Sequence, residues 1–560
     1  MLKKALKIIL WIGATLLLLI TLTIGALFLE IRPGVPELAV DTIANIQVPE
    51  VSHTANGIAT SGKNNIRKNR YGLYELYVEG NAFERGLAAG ALSAEQVKYQ
   101  EEVFVQKITE IIPSKRYRSF LLTLIIWFNS KLHKHIHPEF IEEIYGISQS
   151  ASPEFDFYGP AFYRILNYHA AHDIGHTLQA YNLVGCSSFA VWGDNSADST
   201  LLIGRNFDFY FGEDFSKEKI IEFVAPEFGH KFAFVTWGGM TGAVSGMNNQ
   251  GLTVTINAGT PSIAKRSGTP VSLLAREILQ FASTIAEADS IARIRRTFVS
   301  ESYLIGSAND YKAVIIEKTP FKQELVEVDN GKLLCTNHYQ GTELNKTEEN
   351  AKTMKRATGY RFNRLNQLVN NKIPLNQTDV AHILRDQRGI DNEDLGFANE
   401  MALNQLIAHH SVIFSPQKRV MWVSTPPYNL GAYIAYDLNT VFDSLQGKQE
   451  NTPIDVATLE IEADTFLYSD TYAAYEEYAE LKEKYIFFNF TGKAVSDTIL
   501  DRLIELNPEN FEPYLWKAYK KDEEENSDEA LKYYQKSLQK AMPRASRERI
   551  EERIFKLEAQ

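Results

Sequence analysis

The chain has 560 residues, which is too long for a single compact core, and we expect roughly three structural units. Hydrophobic residues at 44% and charged residues at 23% are typical of folded proteins and exclude a disordered chain. The formal net charge of −12 argues against a nucleic-acid partner, because phosphate binding requires a basic surface. The two cysteines cannot form a disulfide framework, and they leave the redox compartment open.

The N-terminus carries the pattern of a membrane anchor. Three lysines precede an uninterrupted uncharged run, residues 8–29, which closes at Glu30. This run reaches the length of about 20 residues that a helix needs to cross a bilayer, and it exceeds the apolar region of a cleaved signal peptide. We therefore predict an uncleaved anchor over residues 1–32. The lysines orient the N-terminus towards the cytoplasm, so we expect a single-pass cell-membrane protein with the rest of the chain outside.

Residues 33–450 alternate between polar, helical and strand-like segments. Residues 33–70 are polar, with scattered proline and glycine, and predict a tether, whereas residues 71–185 predict one strand followed by helices. From residue 186 to about residue 450, short apolar or alternating segments predict strands interrupted by helices. The predicted elements are a strand at 71–79, a helix to 112, helices within 114–176, strands within 187–257, helices within 270–297, strands within 302–335, helices at 347–369 and 379–387, and strands at 411–414 and 420–423. This order is that of a layered α+β body.

Residues 451–560 predict a helical C-terminal region. Pro508 and Pro543 lie about one tetratricopeptide period apart, and three apolar residues between them share one helical face. The pattern resembles a tetratricopeptide hairpin, and a generic helical hairpin is an equally good interpretation. A single hairpin cannot bury its own apolar face, so we expect this region to pack against the rest of the chain or against a protein partner.

Cys186 is the candidate nucleophile around which the chain is organised. It follows Gly185, at the point where the helical segment ends and the predicted strands begin. A thiol is intrinsically nucleophilic, and the nearby Arg205 and Asp208 are plausible partners of a covalent catalyst. Gly185 leaves the backbone free to bend sharply before the thiol. The alternative interpretation makes Cys186 a small buried hydrophobic residue and makes Arg205 and Asp208 a surface ion pair.

Several motifs resemble those of one enzyme family. In order, they are GNAFERGLAAG at 80–90, GCSSFA at 185–190, GRNFD at 204–208, GMNNQGL at 246–252 followed by Asn257, TNH at 336–338 and YRF at 360–362. With these motifs the chain resembles the autoproteolytic acyltransferases and amidohydrolases typified by acyl-CoA:6-aminopenicillanic acid acyltransferase. These are N-terminal-nucleophile hydrolases, related to penicillin V acylase and bile salt hydrolase. The resemblance implies a four-layer αββα sandwich over residues 186–450, with residues 71–185 as a helical propeptide.

The resemblance also implies a chemistry for Cys186. The thiol would cut the Gly185–Cys186 bond by an N-to-S acyl shift and hydrolysis, and the freed α-amine, with an unperturbed pKa of about 8, would serve as its base. By the same resemblance, Asp208 orients the amine or the thiol, and Arg205 favours the thiolate electrostatically. Arg361 completes the charge network around the cysteine.

The oxyanion donors implied by the resemblance are the side-chain amide of Asn337 and the backbone N–H of Asn257. Both asparagines also suit turns at strand ends, which is the commoner use of asparagine. Arg361 competes with its neighbour Arg364, and helical periodicity does not choose between them. Cys335 has no base or charged partner beside it in sequence, and we interpret it as a packing residue.

A histidine cluster offers a rival chemistry. His169, His172 and His176, together with Asp173, have a helical spacing that is compatible with zinc binding. They precede the expected cut, and the family resemblance implies no metal and no cofactor. We therefore expect neither, and a zinc hydrolase built on these histidines is kept as an alternative. His409 and His410 are interpreted as structural residues.

Together these patterns predict a membrane-anchored, self-processing cysteine amidohydrolase or acyltransferase whose catalytic part is extracytoplasmic. It would cleave or transfer the acyl group of a small-molecule N-acyl amide through a thioester on Cys186. A location outside the cytoplasm disfavours acyl-CoA as a donor, so hydrolysis of an N-acyl amide is favoured. The main rival from another class is a non-catalytic, membrane-anchored binding protein that recruits a partner through its C-terminal helices.

Overall fold

A computed structural model describes residues 18, 47–55, 57–129, 131–177, 185–209, 211–261, 267–446 and 453–559. The predicted anchor, residues 8–29, lies outside these ranges apart from Leu18. Across the described ranges, none of the helices combines the length and the apolar character that crossing a bilayer requires.

The described strands form a large sheet and a small sheet. The large sheet has eleven strands in the order β1-β2-β3-β4-β7-β8-β9-β10-β11-β12-β13, and the small sheet has six in the order β14-β5-β6-β15-β16-β17. Their bounds are β1 Ser52–His53, β2 Ile58–Ser61, β3 Asn64–Lys68, β4 Tyr74–Gly80, β5 Ser187–Val191, β6 Leu202–Asp208, β7 Ile220–Pro226, β8 Phe232–Thr236, β9 Ser245–Asn248, β10 Leu252–Ala258, β11 Glu301–Ser307, β12 Lys312–Lys318, β13 Gln323–Val326, β14 Lys332–Cys335, β15 Ala408–Ser415, β16 Val420–Ser424 and β17 Tyr433–Asp437. Strand β4 pairs in parallel with β7, so the segment before Cys186 is built into the same sheet as the segment after it.

The described α-helices fall into three groups along the chain. Those before Cys186 are α1 Ala82–Leu92, α2 Ala94–Ile111, α3 Lys115–Asn129, α4 Pro138–Ser148 and α5 Ala161–Thr177. Those between Cys186 and residue 450 are α6 Val271–Phe281, α7 Ile285–Ile294, α8 Glu348–Met354, α9 Ala357–Lys372, α10 Gln377–Leu384 and α11 Val441–Leu445. The C-terminal helices are α12 Asp470–Thr491, α13 Asp497–Leu506, α14 Phe511–Glu523, α15 Ser527–Leu538 and α16 Arg544–Glu558.

Both sheets are covered on both faces. One apolar cluster lies between the sheets and takes Phe223 from the large sheet and Ile203 from the small one. A second cluster joins the other face of the large sheet to α1, α4, α5, α6 and α7. A third joins the other face of the small sheet, including Leu202, to α9 and α10. Neighbouring residues of a strand point to opposite faces, so Leu202 and Ile203 enter different clusters.

The glycine-rich motif at 80–90 serves helix packing. Helix α1 lies against α4 so closely that a Cβ on Gly86 would come within 2.1 Å of the backbone oxygen of Glu143. Arg85 of the same motif donates to Glu143 at 2.7 Å, and both side chains are buried. The motif therefore fixes the helical segment on the large sheet, because only glycine permits this backbone approach.

Part of the predicted tether is wrong. Residues 52–68, inside the 33–70 segment, form β1, β2 and β3 at the edge of the large sheet. The polarity of this stretch is misleading, because its polar side chains are paired inside the fold. Asn65 donates to the backbone oxygen of Leu445 at 2.9 Å, and Arg67 pairs with Glu75 at 2.6 Å.

Three element predictions also need correction. The helix expected to run to residue 112 is interrupted at Ser93, whose φ of −107° and ψ of 24° are not helical. The helix expected at 347–369 is divided between α8 and α9, because Arg356 is extended, with φ −81° and ψ −176°. Strand β17 was not predicted, and it completes the small sheet by pairing with β16.

Candidate active site

Cys186 lies immediately before β5, a strand enclosed by β14 and β6 in the small sheet. Its side chain is only 1% exposed. The Sγ atom lies 3.7 Å from Nη2 of Arg205 and 3.8 Å from the backbone oxygen of Asp208. Burial raises the pKa of the thiol to about 11, and the neighbouring Arg205 charge opposes this rise. At neutral pH the buried thiol is therefore protonated and needs a base before it can attack.

Arg205 reaches Cys186 from the adjacent strand. The register of β5 and β6 sets Arg205 opposite Ser188, and the guanidinium lies 4.3 Å from the ring centroid of Phe207. Nη2 donates to the backbone oxygen of Ile256, and Nη1 donates to the hydroxyl of Ser245. The side chain is fully buried, so it is not part of a surface ion pair.

Asp208 ends β6 and encloses the other side of Cys186. Its backbone oxygen accepts from the N–H of Gly185 at 3.1 Å. One carboxylate oxygen, Oδ2, accepts from Nε2 of Gln405 at 3.5 Å, and Oδ1 is buried without a hydrogen bond from the described part of the chain. Burial raises the pKa of Asp208 to about 7, against the opposing charges of Arg361 and Arg205. This carboxyl can therefore exchange a proton near neutral pH.

The carbonyl oxygen of Gly185 is held by two donors. Nη1 of Arg361 donates to it at 2.6 Å, and Nε2 of Gln405 donates at 2.8 Å. The same Arg361 nitrogen also donates to the carbonyl of Cys186 at 2.7 Å. Two donors on one carbonyl polarise the Gly185–Cys186 amide, which is the arrangement that stabilises negative charge on a tetrahedral oxyanion.

Glycine at position 185 is required by the approach of Gln405. A Cβ on Gly185 would lie 2.3 Å from Nε2 of Gln405 and 2.7 Å from its Oε1. Gly185 does not have a positive φ, so the sharp bend predicted there is absent. Its role is to leave room for a donor rather than to turn the chain.

The two predicted asparagines border the site without contacting the thiol. Oδ1 of Asn337 accepts from Nη2 of Arg361 at 2.8 Å, and its Nδ2 donates to the backbone oxygen of Ala258 at 3.1 Å. Oδ1 of Asn257 accepts from Ser188 at 3.0 Å. Asn337 therefore orients Arg361, and Asn257 fixes the start of β5.

The two arginines of α9 have different surroundings. Arg361 faces Cys186, whereas Arg364 forms a bidentate pair with Asp386 at 2.8 and 2.9 Å. The Sγ of Cys335 donates to the backbone oxygen of Thr336 at 3.6 Å, and the residue lies in the cluster between the sheets. Its burial raises the pKa of its thiol well above the ordinary value, which agrees with a packing residue.

His169 is not available as a metal ligand. Its Nε2 accepts from the N–H of Thr241 at 2.9 Å, and its Nδ1 lies 2.9 Å from the backbone oxygen of Ile165. The side chains of His172, Asp173 and His176 lie outside what the structure describes. Among the side chains that are described, no group of three histidine, cysteine or acidic residues is arranged to hold a metal ion.

The motif analysis did not identify three residues of the site, which are Gln405, Ser245 and His410. Gln405 lies outside every motif, and only the tertiary fold brings it to Gly185 and Asp208. Ser245 accepts from Arg205 and lies 2.9 Å from Nε2 of His410. Because the Ser245 oxygen already accepts from Arg205, its own proton is free to point at His410. His410 was interpreted as structural, and it supports Arg205 through Ser245.

Fold and site together define a mixed α/β protein with a buried cysteine beside a polarised amide. Residues 195–426 match the family model described as Acyl-coenzyme A:6-aminopenicillanic acid acyl-transferase. The family resemblance predicted from the motifs is thereby confirmed for this part of the chain. The matched range contains Arg205, Asp208, Asn257, Asn337 and Arg361, and it begins after Cys186.

Similarity to individual proteins is lower. An uncharacterized protein of Archaeoglobus fulgidus is 25% identical over 256 residues, which are 42% of this chain and 41% of that protein. The chain thus spans about two fifths of the length of that relative. Among solved structures, a Caenorhabditis elegans ortholog of N-acylethanolamine-hydrolyzing acid amidase aligns with a TM-score of 0.30 and 15% identity, over 41% of this chain and 93% of the other. A variant of the conjugated bile acid hydrolase from Clostridium perfringens aligns with a TM-score of 0.31 and 14% identity, over 46% and 93%.

Proposed function

We propose that this protein is a self-processing cysteine amidohydrolase that removes the acyl group of an N-acyl amide through a thioester on Cys186. The observation that carries the proposal is the carbonyl of Gly185, which accepts from Arg361 at 2.6 Å and from Gln405 at 2.8 Å. Self-cleavage at this bond needs a polarised carbonyl beside the attacking thiol, because the tetrahedral oxyanion must be stabilised.

The first reaction cuts the chain. Asp208 accepts the thiol proton of Cys186 while Sγ attacks the carbonyl carbon of Gly185, and the oxyanion is held by Arg361 and Gln405. The carbon–nitrogen bond then breaks, the nitrogen takes the proton, and a thioester joins Gly185 to Sγ. Water hydrolyses this thioester, which restores the thiol and leaves a carboxylate on Gly185.

The second reaction is turnover of substrate by the new N-terminus. The α-amine of Cys186, with an ordinary pKa of about 8, accepts the proton of its own thiol, and Asp208 orients the amine. Arg205 stabilises the thiolate from 3.7 Å. Asn337 and the backbone N–H of Asn257 supply the oxyanion donors for the substrate, and water is the acyl acceptor.

The proposal includes the architecture implied by the family. The helix, sheet, sheet, helix order of the apolar clusters supports a four-layer αββα sandwich over residues 186–450. Residues 71–185 are the propeptide, and the hairpin of α14 and α15 is the tetratricopeptide-like element. The membrane anchor at residues 8–29 and the extracytoplasmic location rest on the sequence pattern alone.

The test is whether the purified, folded chain is cut at one place. We expect two fragments on a denaturing gel and by intact mass, with the larger fragment beginning at Cys186. Cys186→Ala should remain one chain and lose amide hydrolysis, whereas Cys335→Ala, which changes the other buried cysteine, should be cut normally. An uncut chain without amide hydrolysis would contradict the proposal and favour a binding protein. Hydrolysis that survives Cys186→Ala would contradict the role of Cys186 as the nucleophile.

A further inference from the structure

A large cavity lies between the C-terminal helices and the body that carries Cys186. Its volume is about 1130 Å³, and we call it the C-terminal cavity. Helices α12, α14 and α16 supply one side, with Tyr475, Trp516 and Arg549 among the lining residues. The segment before β15 supplies the other side, through Glu400 and Gln405. This volume exceeds that of an ordinary small-molecule site, which is about 300–1,000 Å³.

The C-terminal cavity reaches the proposed reaction centre. Gln405 lines it and also donates to the carbonyl of Gly185 at 2.8 Å. Glu400, a second lining residue, interacts electrostatically with Arg361, the other donor to that carbonyl. Gly185 supplies the acyl group of the self-cleavage reaction, so a cavity lined by a donor to its carbonyl lies next to the acyl side of the thiol.

The C-terminal helices are fixed on the segment that carries Gln405. The hydroxyl of Tyr475 in α12 donates to the backbone oxygen of Leu406 at 2.9 Å, and Asn507 donates to the backbone oxygen of Phe397 at 2.8 Å. Phe397, Leu406, Tyr475 and Leu503 share one apolar cluster. Residues 470–558 lie beyond the matched range of 195–426, so the wall of the cavity is an addition to the family core.

The lining combines aromatic rings with the carboxylate of Glu400. Tyr485 stacks on Trp516 at a centroid distance of 4.4 Å, and Nζ of Lys482 lies 5.8 Å from the centre of the Trp516 ring. Lys482 is paired with Glu512 at 3.2 Å. Glu400, by contrast, has neither a hydrogen bond nor an ion pair with any side chain that the structure describes. Burial raises the pKa of Glu400 to about 7, and the charge of Glu512 adds to this rise. The charges of Arg361, Lys482 and Arg549 oppose it without a hydrogen bond to Glu400.

We infer that the C-terminal cavity binds the acyl part of the substrate and that Glu400 selects acyl groups carrying a protonated amine. This inference rests on the proposed function and names its substrate class, an amide of an amino-substituted carboxylic acid. A protonated amine would supply Glu400 with its missing partner, and the aromatic wall would cover the carbon chain. Glu400 and the C-terminal helices then determine specificity together, and the residues around Cys186 supply the chemistry.

Two fluorogenic probes of equal length test the inference. They are the 7-amino-4-methylcoumarin amides of 6-aminohexanoic acid and of hexanoic acid, and the measured quantity is the ratio of their kcat/KM values with the cut protein. We expect the amino-substituted probe to be preferred, and Glu400→Gln to lower the ratio about tenfold, the size of one charge-assisted hydrogen bond. Glu400→Asp should retain part of the preference. Glu551→Gln, on the exposed face of α16 outside the cavity, should leave the ratio unchanged.

The results separate this inference from the proposed function. A cut protein that prefers the hexanoyl probe, that fails to hydrolyse the aminohexanoyl probe, or whose ratio survives Glu400→Gln would overturn the inference alone. A chain that is never cut at Cys186 would overturn the proposed function. If Glu400→Gln and Glu551→Gln lower the ratio equally, Glu400 has no specific role and the inference fails.

Discussion

Replacing Gln405 with alanine isolates one of the two donors on the Gly185 carbonyl. Arg361 would remain at 2.6 Å, and the neutral donor at 2.8 Å would be lost. Removal of one oxyanion-hole donor costs about 10²–10³ in rate. Since Gln405 is the neutral donor of the pair, we expect the lower end, about 10²-fold slower self-cleavage, or about 2.7 kcal/mol in the barrier.

Gly185→Ala perturbs the same hydrogen bond, between Gln405 and the Gly185 carbonyl, by changing the acceptor residue. The added Cβ would lie 2.3 Å from Nε2 of Gln405, so the amide must move away from the carbonyl. We expect self-cleavage to slow at least as much as in Gln405→Ala. Combining both changes should add little, because they remove the same hydrogen bond.

The assay follows the disappearance of full-length chain with time after cell-free synthesis, on denaturing gels calibrated by intact mass. Gln417→Ala is a matched control, because Gln417 accepts from the N–H of Leu201 at 3.0 Å and has no contact with Gly185. Wild-type cleavage rates in Gln405→Ala or in Gly185→Ala would refute the assignment of Gln405 as an oxyanion donor.

Three further predictions concern the two arginines of α9, the carboxyl of Asp208 and the carboxyl of Glu222. Arg361→Met should slow self-cleavage about 10³-fold. Arg364→Met should leave that rate unchanged and lower the free energy of unfolding by about 1–3 kcal/mol, since it removes the partner of half-buried Asp386; equal cleavage in the two variants contradicts the prediction. With a pKa of about 7 for Asp208, the base is the ionised form, so self-cleavage should accelerate about tenfold from pH 6 to pH 8, and a flat rate profile excludes Asp208 as the base. Burial raises the pKa of Glu222 in the folded state to about 8, so the folded state binds the extra proton and stability falls as pH rises from about 4 to 8. Glu222→Gln should therefore reduce the fall in Tm between pH 5 and pH 8 in calorimetry, and an unchanged slope would show that Glu222 is not its source.

Much of the site was visible in short motifs that resemble those of a known family, and the alternation of apolar residues marked the strands. Arg205 and Asp208 lie three apart in GRNFD, and the pairing of β6 with β5 sets this motif beside Cys186. The same periodicity located most strands after residue 186. The periodicity failed at residues 52–68, because buried polar pairs such as Arg67–Glu75 give this part of the sheet the sequence pattern of an exposed segment.

Residues that contact the site from distant parts of the chain could not be predicted from the sequence. Gln405 lies 220 positions from Gly185 and belongs to no helix or strand, so no local pattern marks it. Helical periodicity could not choose between Arg361 and Arg364, since the choice depends on which neighbour each side chain meets. The structure gives them different partners, the Gly185 carbonyl and Asp386.

The sequence by itself determined Cys186 as the candidate nucleophile and most of the helices and strands that follow it, because these depend on residue type and on spacing along one segment. The tertiary structure alone decided which donors hold the Gly185 carbonyl, that residues 52–68 complete the large sheet, and that the C-terminal helices enclose a cavity reaching Gln405. Those features arise from contacts between segments hundreds of residues apart. Such contacts follow from how the layers pack, which local propensity does not encode.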